Sequence, residues 1–231
     1  MDLTEYFNSL QLVDKPYNKY AAYSLAFNNP YRIATGYDAF RNNDFDAYLK
    51  DFIAQQGKCI VMPNMLNNEV IGLVFRSLQS KQFRYYTKYR YIPYGAGFNT
   101  NKQYYNPWLI VESALDSDFI RNFYPYVIST NGVSVSNTIM NFLKNTCSTL
   151  YIGFDFDKAG WDSYNKLYYK HDKYANDNKE FHIKRFETPV NFDGKHLKDF
   201  GEILDCLYNK NIVDYDNYVS SLKYSLTYLT L

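Results

Sequence analysis

From residue 108 to about residue 209 the chain alternates short runs rich in Val, Ile, Phe and Tyr with stretches whose apolar residues recur at helical spacing. This pattern restricts the fold more than any other feature. Strands that alternate with helices run mainly parallel, and a parallel sheet needs helices over its faces. Strands are predicted near 108–111, 126–129, 149–154 and 180–186, and helices near 114–123, 135–145, 159–172 and 198–209. In such sheets ligands gather outside the carboxyl ends of the strands. The residues that follow each apolar run are therefore the ones to read for chemistry.

Two of those positions are acidic. Trp108-Leu109-Ile110-Val111 runs into Glu112, and an apolar run ending in Ile152-Gly153 enters Phe154-Asp155-Phe156-Asp157-Lys158-Ala159-Gly160. Side-chain alternation sends Asp155 and Asp157 to one side if the strand persists, with Phe156 turned into the core. Carboxylates this close raise one another's pKa, so the cluster calls for a cation. Mg²⁺ prefers hard oxygen ligands and keeps several waters, and two or three carboxylates from adjacent strand ends suffice for it. The competing reading, helix capping, accounts well for one Asp and less well for two.

Upstream, residues 1 to about 57 read as helices and loops. Apolar spacing from Phe40 to Ile53 is near the helical period, and Gly57 is a stop signal. Cys59-Ile60-Val61-Met62-Pro63 and Glu69 to Arg76 read as two strands around a polar turn from Asn64 to Asn68. Tyr215 to Leu231 reads as a closing helix. Net charge is only +1, but no acid occurs between Glu69 and Glu112. That gap holds Arg76, Lys81, Arg84, Lys88, Arg90 and Lys102 interleaved with tyrosines that include Tyr85. Cations neutralise phosphates and aromatic faces stack on unpaired bases, a mixture that suits single-stranded nucleic acid. A solvated tyrosine-rich surface is the alternative, in a chain with 26 tyrosines. Cys59, Cys147 and Cys206 are too scattered for a disulfide framework or a zinc ribbon, and no apolar run approaches the roughly 18 residues of a membrane span. The expected setting is cytoplasmic, with no membrane association. The Tyr, Phe, Asn and Lys bias fits an AT-rich bacterial or phage genome.

Four motifs in order carry a resemblance: Val111-Glu112-Ser113-Ala114-Leu115-Asp116, Ser129-Thr130-Asn131-Gly132, Phe154 to Gly160, and Lys198-Asp199-Phe200-Gly201-Glu202. Together they resemble the toprim domain of primases, topoisomerases and some nucleases. Ile60 to Pro63, Asn68 to Arg76 and Arg84-Tyr85 further resemble the first subdomain of the DnaG-type primase polymerase core. Tyr94 to Phe98 lies where that family has a short turn before the toprim strand. Ser113 replaces a usual Gly, and Gly201 stands where the family usually carries Asp or Asn. The zinc ribbon that precedes the core in that family has no counterpart here.

The resemblance implies an α/β fold: a helical segment at 1–57, a smaller mixed α+β subdomain at 58–107, a toprim domain with a mainly parallel sheet at 108–207 and a helical tail at 208–231. It implies a DNA primase, a nucleotidyltransferase that makes short RNA primers from ribonucleoside triphosphates on a single-stranded DNA template. Glu112, Asp155 and Asp157 would hold Mg²⁺ or Mn²⁺, with Asp116 and Asp199 tuning or completing the site and no zinc. Arg76, Lys81, Arg84, Tyr85, Lys88, Arg90, Lys158 and Lys198 would bind nucleotide and nucleic acid. A replicative helicase or a separate zinc-binding accessory protein is the implied partner. A toprim nuclease using the same carboxylates, and a non-catalytic replication-associated binding module, are the alternatives.

Overall fold

A computed structural model describes residues 1–13, 20, 29–89, 92–98, 106–122, 124–171, 181–186, 191–192, 195–196, 198–200 and 202. The chain divides into two compact units, Met1–Arg90 and Tyr91–Leu231.

The first unit is an antiparallel sheet in sequential order, β1 (Gln11–Leu12), β2 (Arg32–Thr35), β3 (Lys58–Leu66), β4 (Glu69–Ser77) and β5 (Phe83–Thr87). Helices α1 (Leu3–Ser9) and α2 (Ala47–Gln56) pack on one face. Asp2 and Glu5 form a reciprocal capping box at the start of α1, and the Asp46 carboxylate accepts the Leu49 N–H at 2.7 Å at the start of α2. Gly57 ends α2 at φ +68°, the stop its sequence position predicts. Leu3, Tyr6, Phe7, Leu49, Phe52 and Ile53 cover Cys59, Val61, Leu73 and Phe75, with the Phe45 ring edge-on to Tyr6, Phe75 and Tyr86.

Three sequence expectations change in this unit. No boundary falls near residue 57, because β2 pairs with β3 from Arg32↔Val61 to Thr35↔Lys58 and so joins the first 57 residues to the sheet. The helix expected from residue 40 begins at Ala47, since the Asn42 carboxamide accepts the Asp44 N–H and Asp46 takes the cap. The turn expected over 64–68 shrinks to Asn67-Asn68, both at positive φ, which closes a two-residue hairpin and leaves Asn64 buried inside β3.

The second unit carries a four-stranded sheet in the order β7 (Val127–Ser129), β6 (Trp108–Val111), β8 (Thr149–Gly153), β9 (His182–Arg185), and every pair in it is parallel. The predicted strands at 108–111, 126–129, 149–154 and 180–186 match these within three residues. Helix α3 (Ala114–Arg121) follows β6, α4 (Asn137–Lys144) follows β7 and α5 (Lys158–His171) follows β8. Ser113 and Ser136 cap the first two. Trp108, Ile110, Ile128, Leu150, Ile152 and Ile183 form a core with Met140 and Leu143 of α4 and Leu167 of α5, while α3 packs beside β6 and β7. Two-residue strands β10 (Asn191–Phe192) and β11 (Lys195–His196) pair antiparallel. Phe200 and Glu202 are helical, and the rest of the helix expected to residue 209, like the tail at 208–231, lies outside the described residues. No helix among the described residues is long and apolar enough to cross a membrane.

The sheet order places the site. From β6 the chain steps to β7 on one side and then returns past β6 to β8 on the other, so the order reverses between β6 and β8. A crevice opens at the carboxyl ends of such a pair. Glu112 leaves the end of β6, one residue beyond the Val111↔Gly153 pairing, and Asp155 follows the end of β8 two residues beyond it.

Candidate functional site

Backbone contacts fix where Glu112 starts. The turn after β7 reaches across to it: the Ser129 hydroxyl and the Gly132 N–H both donate to the Glu112 carbonyl, at 3.1 and 2.8 Å. Asn131 and Gly132 adopt positive φ to make this possible, which gives the Ser129-Thr130-Asn131-Gly132 motif a physical role. The Glu112 side chain then crosses to the neighbouring strand end, where Oε1 accepts the Asp155 N–H at 3.0 Å. Burial, with the Asp155 carboxylate next in effect, pushes the Glu112 carboxyl up to about 7.

The loop after β8 turns sharply. Strand pairing stops at Gly153, so Asp155 and Asp157 are not held on one side by strand alternation as expected. Their carboxylates converge nonetheless on one atom, Nζ of Lys198, at 2.9 and 3.1 Å. Phe156 lies beside Phe200 rather than deep in the core. Asp157 also uses Oδ1 to accept the Gly160 N–H at 3.0 Å as α5 begins. That bond, followed by the Lys198 ammonium, holds Asp157 below the usual carboxylate range. Hydrogen bonds donated to both carboxylates raise Lys198 in turn. At Gly160 a Cβ would stand 2.1 Å from the Asp155 carbonyl oxygen, so only glycine allows the chain to fold this closely.

Lys198 is itself anchored. Its carbonyl accepts the Phe156 N–H at 2.7 Å, and its N–H donates to Glu202 Oε2 at 2.7 Å. Asp199 Oδ1 accepts the Glu202 N–H at 2.6 Å, and burial raises the Asp199 carboxyl. Arg185, at the end of β9, donates to the carbonyls of Phe154 and Asp155 at 2.7 and 3.1 Å and lies between the Phe156 and Trp161 rings. Sequence reading missed Arg185. Its signal, a cation at the end of the fourth predicted strand, was present but indistinguishable from a solvated charge. The sequence assigns Lys198 to nucleotide and nucleic-acid binding, and in the structure its ammonium bridges the two aspartates.

The other expected site residues fall in several places. Asp116 is buried in the first turn of α3, accepting the Ser113 hydroxyl at 2.7 Å. Lys158 is exposed at the start of α5. In the first unit, Arg76 and Tyr85 share one face of the sheet and Arg84 lies on the other, because Arg76 pairs with Phe83 and side chains alternate along β5. The Arg84 guanidinium lies 4.8 Å from the Tyr48 ring centroid and 4.9 Å from that of Phe52, on the α2 side. The Tyr85 hydroxyl accepts from Asn64 at 2.8 Å and burial pushes it up to about 12. Lys81 is exposed, and Lys88 lies 3.7 Å from Glu69. Arg90 lies outside the described residues.

Among the described residues, no three acid, His or Cys side chains form a ready-made cage around one point. The donor set nevertheless fits a hard divalent cation. Asp155 and Asp157 already direct one oxygen each at a single positive centre, with Glu112 beside them. A cation of the Mg²⁺ type needs only one or two carboxylates when phosphates complete its shell.

No family model matches the chain and no curated protein is similar to it in sequence. Solved structures are similar to it in fold. The DnaG primase catalytic domain bound to single-stranded DNA matches 96% of this chain and 78% of its own at 15% identity, with a TM-score of 0.58. The Aquifex aeolicus primase, comprising zinc-binding and RNA polymerase domains, matches 92% of this chain at 13% identity and a TM-score of 0.56. A DnaG catalytic core matches 71% at 15% identity and a TM-score of 0.50. The chain has the fold of a primase catalytic core. It spans 56% and 52% of the length of the last two structures.

Proposed function

We propose that this chain is a DNA primase catalytic core that builds short RNA primers from ribonucleoside triphosphates on single-stranded DNA. The observation that supports the reading is that Glu112 accepts the Asp155 N–H while Asp155 and Asp157 share the Lys198 ammonium, at the reversal point of a parallel sheet in a chain with the fold of primase cores. Glu112, Asp155 and Asp157 would hold Mg²⁺ or Mn²⁺, which when bound supplies Lewis-acid stabilisation of charge on the phosphoryl oxygens. The protein groups position and neutralise. Gly160 and the cap at Asp157 fix the loop, Arg185 holds its carbonyls, and Lys198 and Lys158 are cations within the same unit for the triphosphate. Asp199 acts from outside, shaping the Lys198 turn through Glu202, and Asp116 through the start of α3.

Lys81 and Lys88, with Arg76 and Arg90, are the proposed phosphate contacts of the first unit. Arg84 and Tyr85 would contribute there only by leaving their present partners. Template selection would come from a replicative helicase or a separate zinc-binding protein, in the cytoplasm of a bacterium or a phage-infected host.

The test is incubation with mixed single-stranded templates, labelled ribonucleotides and Mg²⁺ or Mn²⁺. Labelled RNA oligomers are expected, and Asp155→Asn should reduce their yield at least about 100-fold while the unfolding midpoint is retained. Full activity of that variant would sink the assignment. Shortening of a labelled strand without incorporation would make the chain a nuclease instead.

A further inference from the structure

Lys198 occupies the place a metal ion would need. Its ammonium sits 2.9 Å from Asp155 Oδ2 and 3.1 Å from Asp157 Oδ2. Oδ2 is the more open oxygen of Asp157, because Oδ1 already accepts the Gly160 N–H. A dication binding the same two oxygens would meet a like charge within contact distance, so the two cannot share the pair. The lysine is built to leave. Its backbone is pinned at both polar groups, to Phe156 and Glu202, whereas its side chain is 48% exposed on a stem of four rotatable carbons.

We infer that Lys198 is the resident counter-ion of the Asp155–Asp157 pair, that a divalent cation displaces it, and that the released ammonium then neutralises the phosphate that arrives with the metal. The inference rests on the metal-dependent reading above. It is a ligand exchange with no covalent step: two ammonium–carboxylate contacts are lost, metal–carboxylate contacts form, and the ammonium gains phosphate oxygens. Lysine suits it better than arginine, whose planar fork would grip both carboxylates and release them reluctantly.

The experiment is Mn²⁺ titration of the full chain by calorimetry, with no nucleotide present. Lys198→Met removes the competing charge and keeps the stem, and is expected to bind Mn²⁺ about tenfold more tightly than the parent protein. Lys198→Arg keeps the charge in a more tenacious form and should bind it several-fold more weakly. Without metal the Met variant should unfold at a lower temperature than the parent, and saturating Mn²⁺ should close that gap. With metal saturating, its KM for ribonucleoside triphosphates should rise. Unchanged or weaker Mn²⁺ binding by Lys198→Met overturns the inference, and if that variant does not fold, parent-like affinity in Lys198→Arg does so. Asp155→Asn separates the two failures. If it weakens Mn²⁺ binding and Lys198→Met leaves binding unchanged, only the counter-ion role fails. If neither variant matters, the carboxylate site fails with it.

Discussion

In the five-stranded unit three polar or charged side chains that leave water are matched to neutral partners or to single opposite charges. Asn64 meets the Tyr85 hydroxyl, Arg84 lies against Tyr48 and Phe52, and Asp38 accepts from Thr35 and Arg41. In the four-stranded unit two carboxylates share one lysine, and a third, Glu112, accepts the N–H of one of them. The first arrangement satisfies groups where they stand, and such polar contacts favour one packed structure. The second leaves Glu112, pushed up to about 7, beside two aspartates, a state that added positive charge improves. The paired groups at Asn64, Arg84 and Asp38 are therefore architectural. On the proposed function, those at the strand ends of the second unit are held in reserve for a ligand.

The comparison can be broken most forcefully at two glycines. Gly160→Ala places a Cβ 2.1 Å from a backbone oxygen, and the second unit should lose about 3 kcal/mol or more, read as a lowered urea midpoint. Gly72→Ala in the first unit meets the Tyr86 carbonyl at 2.9 Å and the Tyr85 hydroxyl at 3.0 Å, and about 1–2 kcal/mol is expected. Equal losses would show that the carboxylate turn is no more constrained than an ordinary strand. Next in size, Asn64→Ala should cost about 1–3 kcal/mol by removing the donor to Tyr85, with primer synthesis per folded molecule unchanged. A drop in specific activity would move Asn64 out of the architectural class.

The smallest effect is a pH dependence. Burial works to raise the Asp38 carboxyl, but hydrogen bonds from the Thr35 backbone and hydroxyl and from Arg41 outweigh it and hold Asp38 below its ordinary range. A depressed carboxyl contributes stability at neutral pH that is lost as pH falls through its folded value. Asp38→Asn should therefore cost about 1 kcal/mol near pH 7 and progressively less in acid, followed by thermal melts between pH 7 and pH 3. A constant difference across that range would sink the assignment.

How much of this was legible follows the same division. The second unit announced itself because each of its strands is a separate apolar run followed by a helix, and its acids stand at strand ends, where position alone implies use. Lys198 was legible as a motif residue but not as the partner of Asp155 and Asp157, since a contact spanning about forty residues leaves no local pattern. In the first unit β1 and β2 are two and four residues long, too short for alternation to show, so their membership in the sheet was invisible. The basic strip was legible as composition only. Its division between two faces follows from the Arg76↔Phe83 register, which is set by the turn joining β4 to β5, where the Ser77 N–H donates to the Gln82 carbonyl.

Arg185 is the last residue of β9, an edge strand of its sheet among the described residues, and it holds the carbonyls of Phe154 and Asp155. Because strand side chains alternate, a slip of β9 by one residue would turn Arg185 to the opposite face and offer Lys184 or Phe186 in its place. Edge-strand alignment is thereby translated into the aim of the carboxylates: the acidic centre is tuned mechanically by a strand that contributes no acid to it.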